Sequence, residues 1–357
     1  MARAAPIEAL AIAHDADLAA CTTLRVPARA RLLATLSDES ALPALAGLVD
    51  REGRLPLVLG GGSNLLLTGD PAMPVLRVAL KGIRVAPDAD AAGGTADEVL
   101  VEAAAGESWD GLVRATLAQG LCGLENLALI WGSVGAGPVQ NIGAYGVELR
   151  ERFDSLRAVE IATGRVRRFD AADCAFGYRD SVFKHAGGVG WLVLSVRLRL
   201  TRRCAPRLEY GELRDELATR GVHPDHEPAT AMAIADAVSA IRRRKLPDPE
   251  TLPNAGSFFK NPVVETAAAQ ALRERFPAAP VHAVPGGFAK LSAGWLIEHA
   301  GFKGARRGDA GVAPQHALVL VNHGHATGAE LLALAREIQA AVLQRFGVAL
   351  EPEPVVV

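Results

Sequence analysis

Residues 123–146 constrain this chain more than any other stretch. They read Gly-Leu-Glu-Asn-Leu-Ala-Leu-Ile-Trp-Gly-Ser-Val-Gly-Ala-Gly-Pro-Val-Gln-Asn-Ile-Gly-Ala-Tyr-Gly and hold six glycines. Each glycine removes a side chain where something comes close to the main chain. Gln140, Asn141 and Tyr145 set amide and phenol groups among them. Successive backbone N–H groups in such a run form a concave donor surface of the kind that holds a diphosphate. The same composition also serves a series of tight turns. The pattern is neither Gly-x-Gly-x-x-Gly nor Gly-x-x-x-x-Gly-Lys-Ser/Thr, so it announces neither a Rossmann unit nor a P-loop.

A second glycine cluster favours the phosphate reading. The apolar run Leu55-Pro56-Leu57-Val58-Leu59 is short and bounded by turn residues, which predicts a strand. It runs into Gly60-Gly61-Gly62-Ser63-Asn64 and then Leu65-Leu66-Leu67, a strand–loop–strand pattern. Two such loops in one chain suit a long cofactor with a diphosphate at its middle.

The bulk properties exclude other classes. At about 150 residues per domain, 357 residues predict two or three domains with ample core. Lys plus Arg is 38 and Asp plus Glu is 40, a net charge of −2 with no basic excess for nucleic acid. Cys21, Cys122, Cys174 and Cys204 are scattered with no C-x-x-C, so the expectation is four reduced thiols that ligate no metal. Glu8, His14, Asp15 and Asp17 interrupt the alanine-rich start, and no apolar run reaches 18 residues, which predicts neither a signal peptide nor a membrane span.

The elements read as follows. Residues 42–51 have helical apolar spacing, and 99–103 read as a strand. Ser108 caps a helix over 109–119 that Gly120 closes. Residues 156–200 are mostly β, with a hairpin at Thr163-Gly164 and alternation of Leu192, Leu194, Val196, Leu198 and Leu200. Helices are expected over 229–244, 295–299 and 329–346, the last ended by Gly347, with a strand over 317–321. Ala91-Ala92-Gly93-Gly94 reads as a flexible surface loop.

The two glycine loops are similar to the flavin-binding segments of the UDP-N-acetylenolpyruvoylglucosamine reductases. Further motifs of that family follow in order: Phe176-Gly177-Tyr178-Arg179-Asp180-Ser181-Val182-Phe183-Lys184, Leu208-Glu209-Tyr210-Gly211-Glu212-Leu213, and Lys245-Leu246-Pro247-Asp248-Pro249. Then come Asn254-Ala255-Gly256-Ser257-Phe258-Phe259-Lys260-Asn261-Pro262-Val263-Val264, Ala293-Gly294-Trp295-Leu296-Ile297-Glu298 and Leu350-Glu351-Pro352-Glu353. The resemblance spans nearly the whole chain. It implies an α+β fold: a two-part FAD-binding domain of the vanillyl-alcohol-oxidase/PCMH type, and a C-terminal α/β substrate-binding domain. The division it implies is 1–83, 84–240 with 347–357, and 241–346.

The activity so implied is reduction of the enolpyruvyl ether of UDP-N-acetylglucosamine-enolpyruvate to UDP-N-acetylmuramate, a cytoplasmic step of peptidoglycan synthesis. NADPH is the reductant and non-covalent FAD the carrier. The implied protein is a monomer that uses no metal and binds neither nucleic acid nor membrane. The resemblance gives FAD to Gly60, Gly61, Gly62, Ser63, Asn64, Gly132, Ser133, Gly135, Gln140, Asn141, Gly143, Ala144, Tyr145 and Gly146. Tyr210 and Lys245 match positions on the UDP diphosphate. Asn261, Tyr178, Arg242 and Lys303 complete the substrate set.

Three residues match the catalytic positions. Ser257 matches the proton donor; alone it reads as a turn cap after Gly256, and Lys260 is a candidate to stabilise its alkoxide. Arg179 matches the arginine that polarises the developing enolate; alone it reads as an ion-pair partner of Asp180 or Glu151. Glu353 matches the last catalytic residue; alone it is an exposed terminal acid. The run Arg242-Arg243-Arg244-Lys245 also reads as cations at a helix C-terminus. The chain departs from the family at Trp131, where the family carries Pro, and at Pro354. The latter removes a backbone donor and predicts a frayed terminal strand. Two other functions fit the motifs less well: a different FAD-dependent oxidoreductase of the same fold, and a catalytically weak nucleotide-sugar-binding protein.

Overall fold

The alternating residues of 192–200 form the spine of a five-stranded antiparallel sheet. Trp191–Thr201 lies between Phe153–Glu160 and Glu98–Ala104, with Val166–Phe169 and Ile83–Val85 at the edges. Leu192, Leu194, Val196, Leu198 and Leu200 are all buried. Val193 and Ser195 are buried as well, because this part of the sheet is covered on both faces. The second face holds Glu102, whose carboxylate accepts from Ser195 Oγ at 2.8 Å, Arg84 at 3.0 Å and Arg197 at 3.1 Å. Burial works to raise the Glu102 carboxyl, but these donors outweigh it and hold it below the ordinary carboxylate range.

The computed structural model describes residues 10–50, 52–85, 97–223 and 230–357. Its internal contacts divide the chain into two units. One comprises Met1–Ala16, Ala30–Gly61 and Ala72–Arg243; the other comprises Asp17–Arg29, Gly62–Pro71 and Arg244–Val357. The loop expected at Ala91-Ala92-Gly93-Gly94 lies outside the described residues.

The first unit also holds a four-stranded sheet in the order Ala11–Asp17, Arg29–Leu36, Val75–Val78, Leu57–Leu59, in which Val75–Val78 pairs parallel with both of its neighbours. The helix expected from residue 42 is a 3₁₀ helix, Glu39–Leu48, with Pro43 inside it. Its apolar spacing still buries Ala41, Leu42, Ala44, Leu45 and Leu48. Trp109–Ala118 is the expected α-helix; Ser108 Oγ accepts from the Gly111 N–H at 3.3 Å, and Gly120 follows with φ of 71°. Ala231–Lys245 presents Ile234, Val238 and Ile241 to the core.

The second unit carries a four-stranded antiparallel sheet in the order Asn254–Ser257, Val319–Asn322, Ala310–Val312, Arg306–Arg307, and a three-stranded sheet in the order Val263–Glu265, Phe288–Leu291, Val281–Val284. Gly328–Phe346 buries Leu331, Leu334, Ile338 and Val342 and ends at Gly347, φ 72°. The content is α+β, with larger antiparallel sheets beside one sheet that holds parallel pairs.

Two expectations fail. Pro354 does not fray the tail: Val355–Val356 pairs in parallel with Leu65–Leu66, and the Val357 carbonyl accepts from both the Thr68 N–H at 2.6 Å and Thr68 Oγ at 2.8 Å. Pro354 is buried and its missing donor falls before that pairing begins. The four cysteines are not all thiols either. Cys122 and Cys204 are disulfide-bonded with their Cα atoms 5.3 Å apart, leaving Cys21 and Cys174 free. Their 82-residue separation hid the pairing, because only the return of the Trp191–Thr201 strand beside Cys122 brings them together.

Candidate functional site

In the first unit the two glycine loops meet. A Cβ on Gly61 would lie 2.8 Å from the Cα of Gly132, and one on Gly60 would lie 2.3 Å from Ser133 Oγ. No side chain fits between these backbones, so glycine is required for the approach. Gly132, Ser133 and Gly135 are held on the turn before the Trp109–Ala118 helix. The Gly132 carbonyl accepts from the Trp109 N–H at 3.0 Å, and Gly135 donates to the Ala105 carbonyl at 2.9 Å. The N–H groups of Val134, Ala136 and Gly137 also go to backbone carbonyls. Glycine therefore acts here chiefly by permitting close packing, rather than by offering all of the run's N–H groups to a phosphate. Trp131 beside them is 36% exposed.

Downstream, two tight turns face each other. Gly143–Ala144 pairs with Val147–Glu148, so Tyr145 and Gly146 form a two-residue hairpin loop with φ of 47° and 80°, as a type I′ turn requires. Tyr178 and Arg179 form a second two-residue turn between Gly177 and Asp180, and Arg179 has φ of 53°. Non-glycine residues in this left-handed region are strained, and such strain clusters at functional sites. Arg179 Nη2 donates to the Gly143 carbonyl at 2.6 Å. Asn141, with φ of 45° and fully buried, holds both turns: its Nδ2 donates to the Gly177 carbonyl at 2.9 Å and to Glu148 at 3.1 Å, while Oδ1 accepts from the Arg150 N–H. Its amide is thus committed to the protein.

Around these turns gather aromatic and cationic groups. The Tyr145 and Tyr210 rings meet edge to face, centroids 5.3 Å apart. Arg242 Nε donates to the Leu129 carbonyl at 3.1 Å. Burial pushes the Arg242 guanidinium down and Arg179 adds to this, whereas Tyr145 and Asp110 oppose it. Arginine stays charged regardless, so the first unit presents two cations beside two phenols. That set suits a carboxylate or a phosphate.

In the second unit, Ser257 ends the strand Asn254–Ser257 after a bulge, where Gly256 has φ of 68° and its N–H goes to Asn254 Oδ1 at 2.9 Å. Next to it runs the tail: Phe259 bridges Pro352, and the Glu353 N–H donates to the Phe258 carbonyl at 2.8 Å. Asn64 Nδ2 donates to the Glu353 carbonyl at 3.3 Å, and the Gly62 carbonyl accepts from Thr23 at 3.1 Å, so Gly62, Ser63 and Asn64 belong with this strand pair. Lys260 Nζ bonds Glu351 at 2.5 Å.

A second cluster in this unit holds Lys245, Lys303 and His316. Burial lowers the His316 pKa, and Lys245 and Lys303 lower it further against an opposing Glu298. Lys303 Nζ bonds Glu298 at 2.9 Å. Asn261 Oδ1 accepts the Ala293 N–H at 2.9 Å, at the start of Ala293–His299. Sequence reasoning named Lys245 and Lys303 and did not name His316, a single imidazole outside every motif.

Among the described residues no group of three or more His, Cys, Asp or Glu side chains is placed to hold a metal ion. The added Cβ atoms would collide with the chain itself, so the glycines bring the two loops together.

Comparison with known proteins agrees with this geometry. Residues 248–357 match the family described as UDP-N-acetylenolpyruvoylglucosamine reductase, C-terminal domain, and residues 30–170 match an FAD binding domain. A protein from Azoarcus sp. (strain BH72) named UDP-N-acetylenolpyruvoylglucosamine reductase is 53% identical over 348 residues, 98% of each chain. One of the same name from Pseudomonas aeruginosa is 51% identical over 97% of this chain and 98% of its own. The crystal structure of the Thermus caldophilus UDP-N-acetylenolpyruvylglucosamine reductase superposes with a TM-score of 0.62 at 25% identity, covering 97% of this chain and 98% of its own.

Proposed function

The chain belongs to the UDP-N-acetylenolpyruvoylglucosamine reductase family, and on that premise we propose how its residues divide the reaction. It is an FAD- and NADPH-dependent oxidoreductase that converts UDP-N-acetylglucosamine-enolpyruvate to UDP-N-acetylmuramate in peptidoglycan synthesis. The observation that carries the flavin reading is the match of residues 30–170 to an FAD binding domain, a span in which Gly60 and Gly61 are brought against Gly132 and Ser133.

When bound, FAD supplies hydride transfer between NADPH and the enolpyruvyl double bond. The protein's residues do the rest. Gly60, Gly61, Gly132, Ser133 and Gly135 form the paired loops that seat the cofactor, joined by Gly62, Ser63, Asn64 and Gln140. Asn141 shapes the loop that carries Gly143, Ala144, Tyr145 and Gly146. Arg179 sets a fixed cation at the substrate carboxylate, where negative charge grows as the double bond is reduced. Ser257 Oγ gives its proton to the carbon next to the one that receives the hydride. Glu353 assists that proton delivery. Tyr210, Lys245 and Arg242 take the diphosphate side; Asn261, Lys303 and Tyr178 complete the substrate contacts.

The functional division assigns 1–83 and 84–240, with the terminal 347–357, to the flavin and 241–346 to the substrate. The match of 30–170 to an FAD binding domain supports the first part; Val355–Val356 pairs with Leu65–Leu66, a piece of 1–83 that falls in the second unit with the tail. The protein works as a cytoplasmic monomer without nucleic acid or membrane. Among the described residues no helix is long and apolar enough to cross a membrane.

The test is direct. The purified chain is expected to be yellow with releasable FAD, and to oxidise NADPH only when the enolpyruvyl sugar nucleotide is present. A colourless protein that does not take up FAD, or NADPH oxidation that consumes oxygen and ignores the sugar nucleotide, overturns the assignment.

A further inference from the structure

Tyr210 stands at the end of residues 202–210, a segment without helix or strand between Trp191–Thr201 and Gly211–Thr219. It is 55% exposed, yet its ring is set edge to face on Tyr145. What fixes that pairing lies three residues earlier. The Arg207 carbonyl accepts from Asn126 Nδ2 at 2.9 Å, and the same amide donates to the Tyr145 carbonyl at 2.9 Å. Asn126 is buried, 2% exposed. One amide group thus spends both of its hydrogens joining two segments that are remote in sequence. The Arg207 side chain adds a second tie: Nη1 donates to the Gly146 carbonyl at 3.2 Å, and Nη2 lies 2.7 Å from Glu151. Cys204, bonded to Cys122, fixes the root of the segment, and Leu208 is buried in the core.

We propose that Asn126 and Arg207 are positioning residues that latch the 202–210 segment onto the Tyr145 hairpin and so set Tyr210 for the substrate diphosphate. The inference rests on the reading of Tyr210 given above. A planar amide with two donors suits the task, because its two acceptors are then held at a fixed angle and spacing. Replacing it leaves two part-buried carbonyls without this donor. Both residues meet the hairpin through the carbonyls of Tyr145 and Gly146, which the flavin reading also uses, and not through Gly60, Gly61 or Gly132. Flavin content and reduction by NADPH are therefore the controls that separate a latch on Tyr210 from a disturbed hairpin.

The experiment uses the full-length, FAD-loaded protein in buffer without reductant, so that Cys122–Cys204 stays bonded in every arm. The variants are Arg207→Ala, Asn126→Ala, Tyr210→Ala and Arg207→Ala combined with Tyr210→Ala. The readouts are the dissociation constant of UDP-N-acetylmuramate by calorimetry, KM and kcat for the enolpyruvyl substrate, and the stopped-flow rate of flavin reduction by NADPH. Arg207→Ala is expected to weaken product binding and raise KM about three- to tenfold, the range of one or two lost hydrogen bonds, with kcat and flavin reduction changed less than about twofold. Asn126→Ala is expected to do the same or more; should it not fold, the exposed Arg207 carries the test. The double variant is expected to bind no more weakly than Tyr210→Ala alone, since the latch acts through that ring.

An unchanged dissociation constant in Arg207→Ala, fully additive losses in the double variant, or an equal loss in flavin reduction overturns the latch while leaving the role of Tyr210 intact. Unchanged product binding in Tyr210→Ala removes the reading of Tyr210 itself, and the latch with it.

Discussion

The N–H of Glu353 donates to the carbonyl of Phe258 at 2.8 Å, so the main chain sets the terminal acid beside the residue after Ser257. Phe258 is fully buried and Phe259 nearly so. This relationship belongs to backbones, and changing the side chain at 353 leaves it in place. The serine and the glutamate are brought together by strand pairing between parts of the chain almost a hundred residues apart.

Glu353→Gln is therefore expected to keep the fold and the FAD while lowering the rate of the enolpyruvyl half-reaction on the order of 10²–10³-fold, the usual worth of one charge-stabilising group. Deleting residues 355–357 is expected to cost activity as well, because it removes the bonds of Val355 to Asn64 and of Val357 to Leu66 and Thr68. Stopped-flow comparison of the two half-reactions is the check; near-normal turnover in Glu353→Gln would leave proton delivery to Ser257 without it.

Ser257→Ala separates the halves in another way. Gly256 at φ 68° and the Asn254 side chain shape the bulge before Ser257 without using its hydroxyl, so the strand is expected to survive the change. Flavin reduction by NADPH should proceed at its normal rate, and reduction of the enolpyruvyl group should fall about 10²–10⁴-fold. Equal losses in both halves would make Ser257 a structural residue.

Arg179 carries a conformational cost. Its φ of 53° falls in the left-handed region, which costs a non-glycine residue about 1–2 kcal/mol. Arg179→Gly relieves that strain and gives back part of the gain as unfolded-chain entropy. The melting temperature is expected to hold or rise, while enolpyruvyl reduction collapses. Arg179→Lys keeps charge and strain but loses the planar fork, and is expected to be impaired as well. A Tm that falls in Arg179→Gly would mean that the bond to Gly143 matters more to folding than to chemistry.

The cysteines give a count that needs no substrate. Burial pushes the Cys174 thiol up to about 12, helped by Asp173 and Asp170, so it is unreactive at neutral pH in the native protein. Cys21 is partly exposed. Protein kept from reductant is expected to titrate one thiol when native, two when denatured, and four after reduction. Four thiols before reduction would refute the Cys122–Cys204 bond.

Local signals were legible in the chain, and relations between distant segments were not. Ser108 and Gly120 bracket Trp109–Ala118 as their side chains dictate, and Gly347 stops Gly328–Phe346. The glycines of both loops announced close backbone approach, and Gly60 and Gly61 do meet Gly132 and Ser133. By contrast, nothing in Pro354-Val355-Val356-Val357 names Leu65–Leu66 as its partner, because pairing is a property of two segments at once. The left-handed turns at Tyr145 and Arg179 were hidden for a different reason: neither residue type prefers that conformation, and only the surrounding bonds impose it. Asn126 lay inside a quoted motif, yet its task appears only when the Arg207 carbonyl arrives beside it.

His316 yields the prediction with the clearest pH signature. Its folded pKa lies below the ordinary 6.5, through burial and then through Lys245 and Lys303. Between the two values the unfolded chain holds a proton that the folded chain lacks. Stability therefore rises with pH across that window, and the contribution is lost as pH falls through the folded value. A diphosphate seated by Lys245 and Lys303 offsets their charge and raises His316 again, so binding takes up a proton. Affinity for UDP-N-acetylmuramate is expected to strengthen as pH falls below the ordinary histidine value of about 6.5, and calorimetry in buffers of different ionisation heat should register proton uptake. His316→Gln should flatten that dependence and also remove the acid-side loss of stability. If the dependence persists in His316→Gln, the proton is taken up elsewhere; if it is absent from the unmodified protein, the diphosphate does not sit at Lys245 and Lys303.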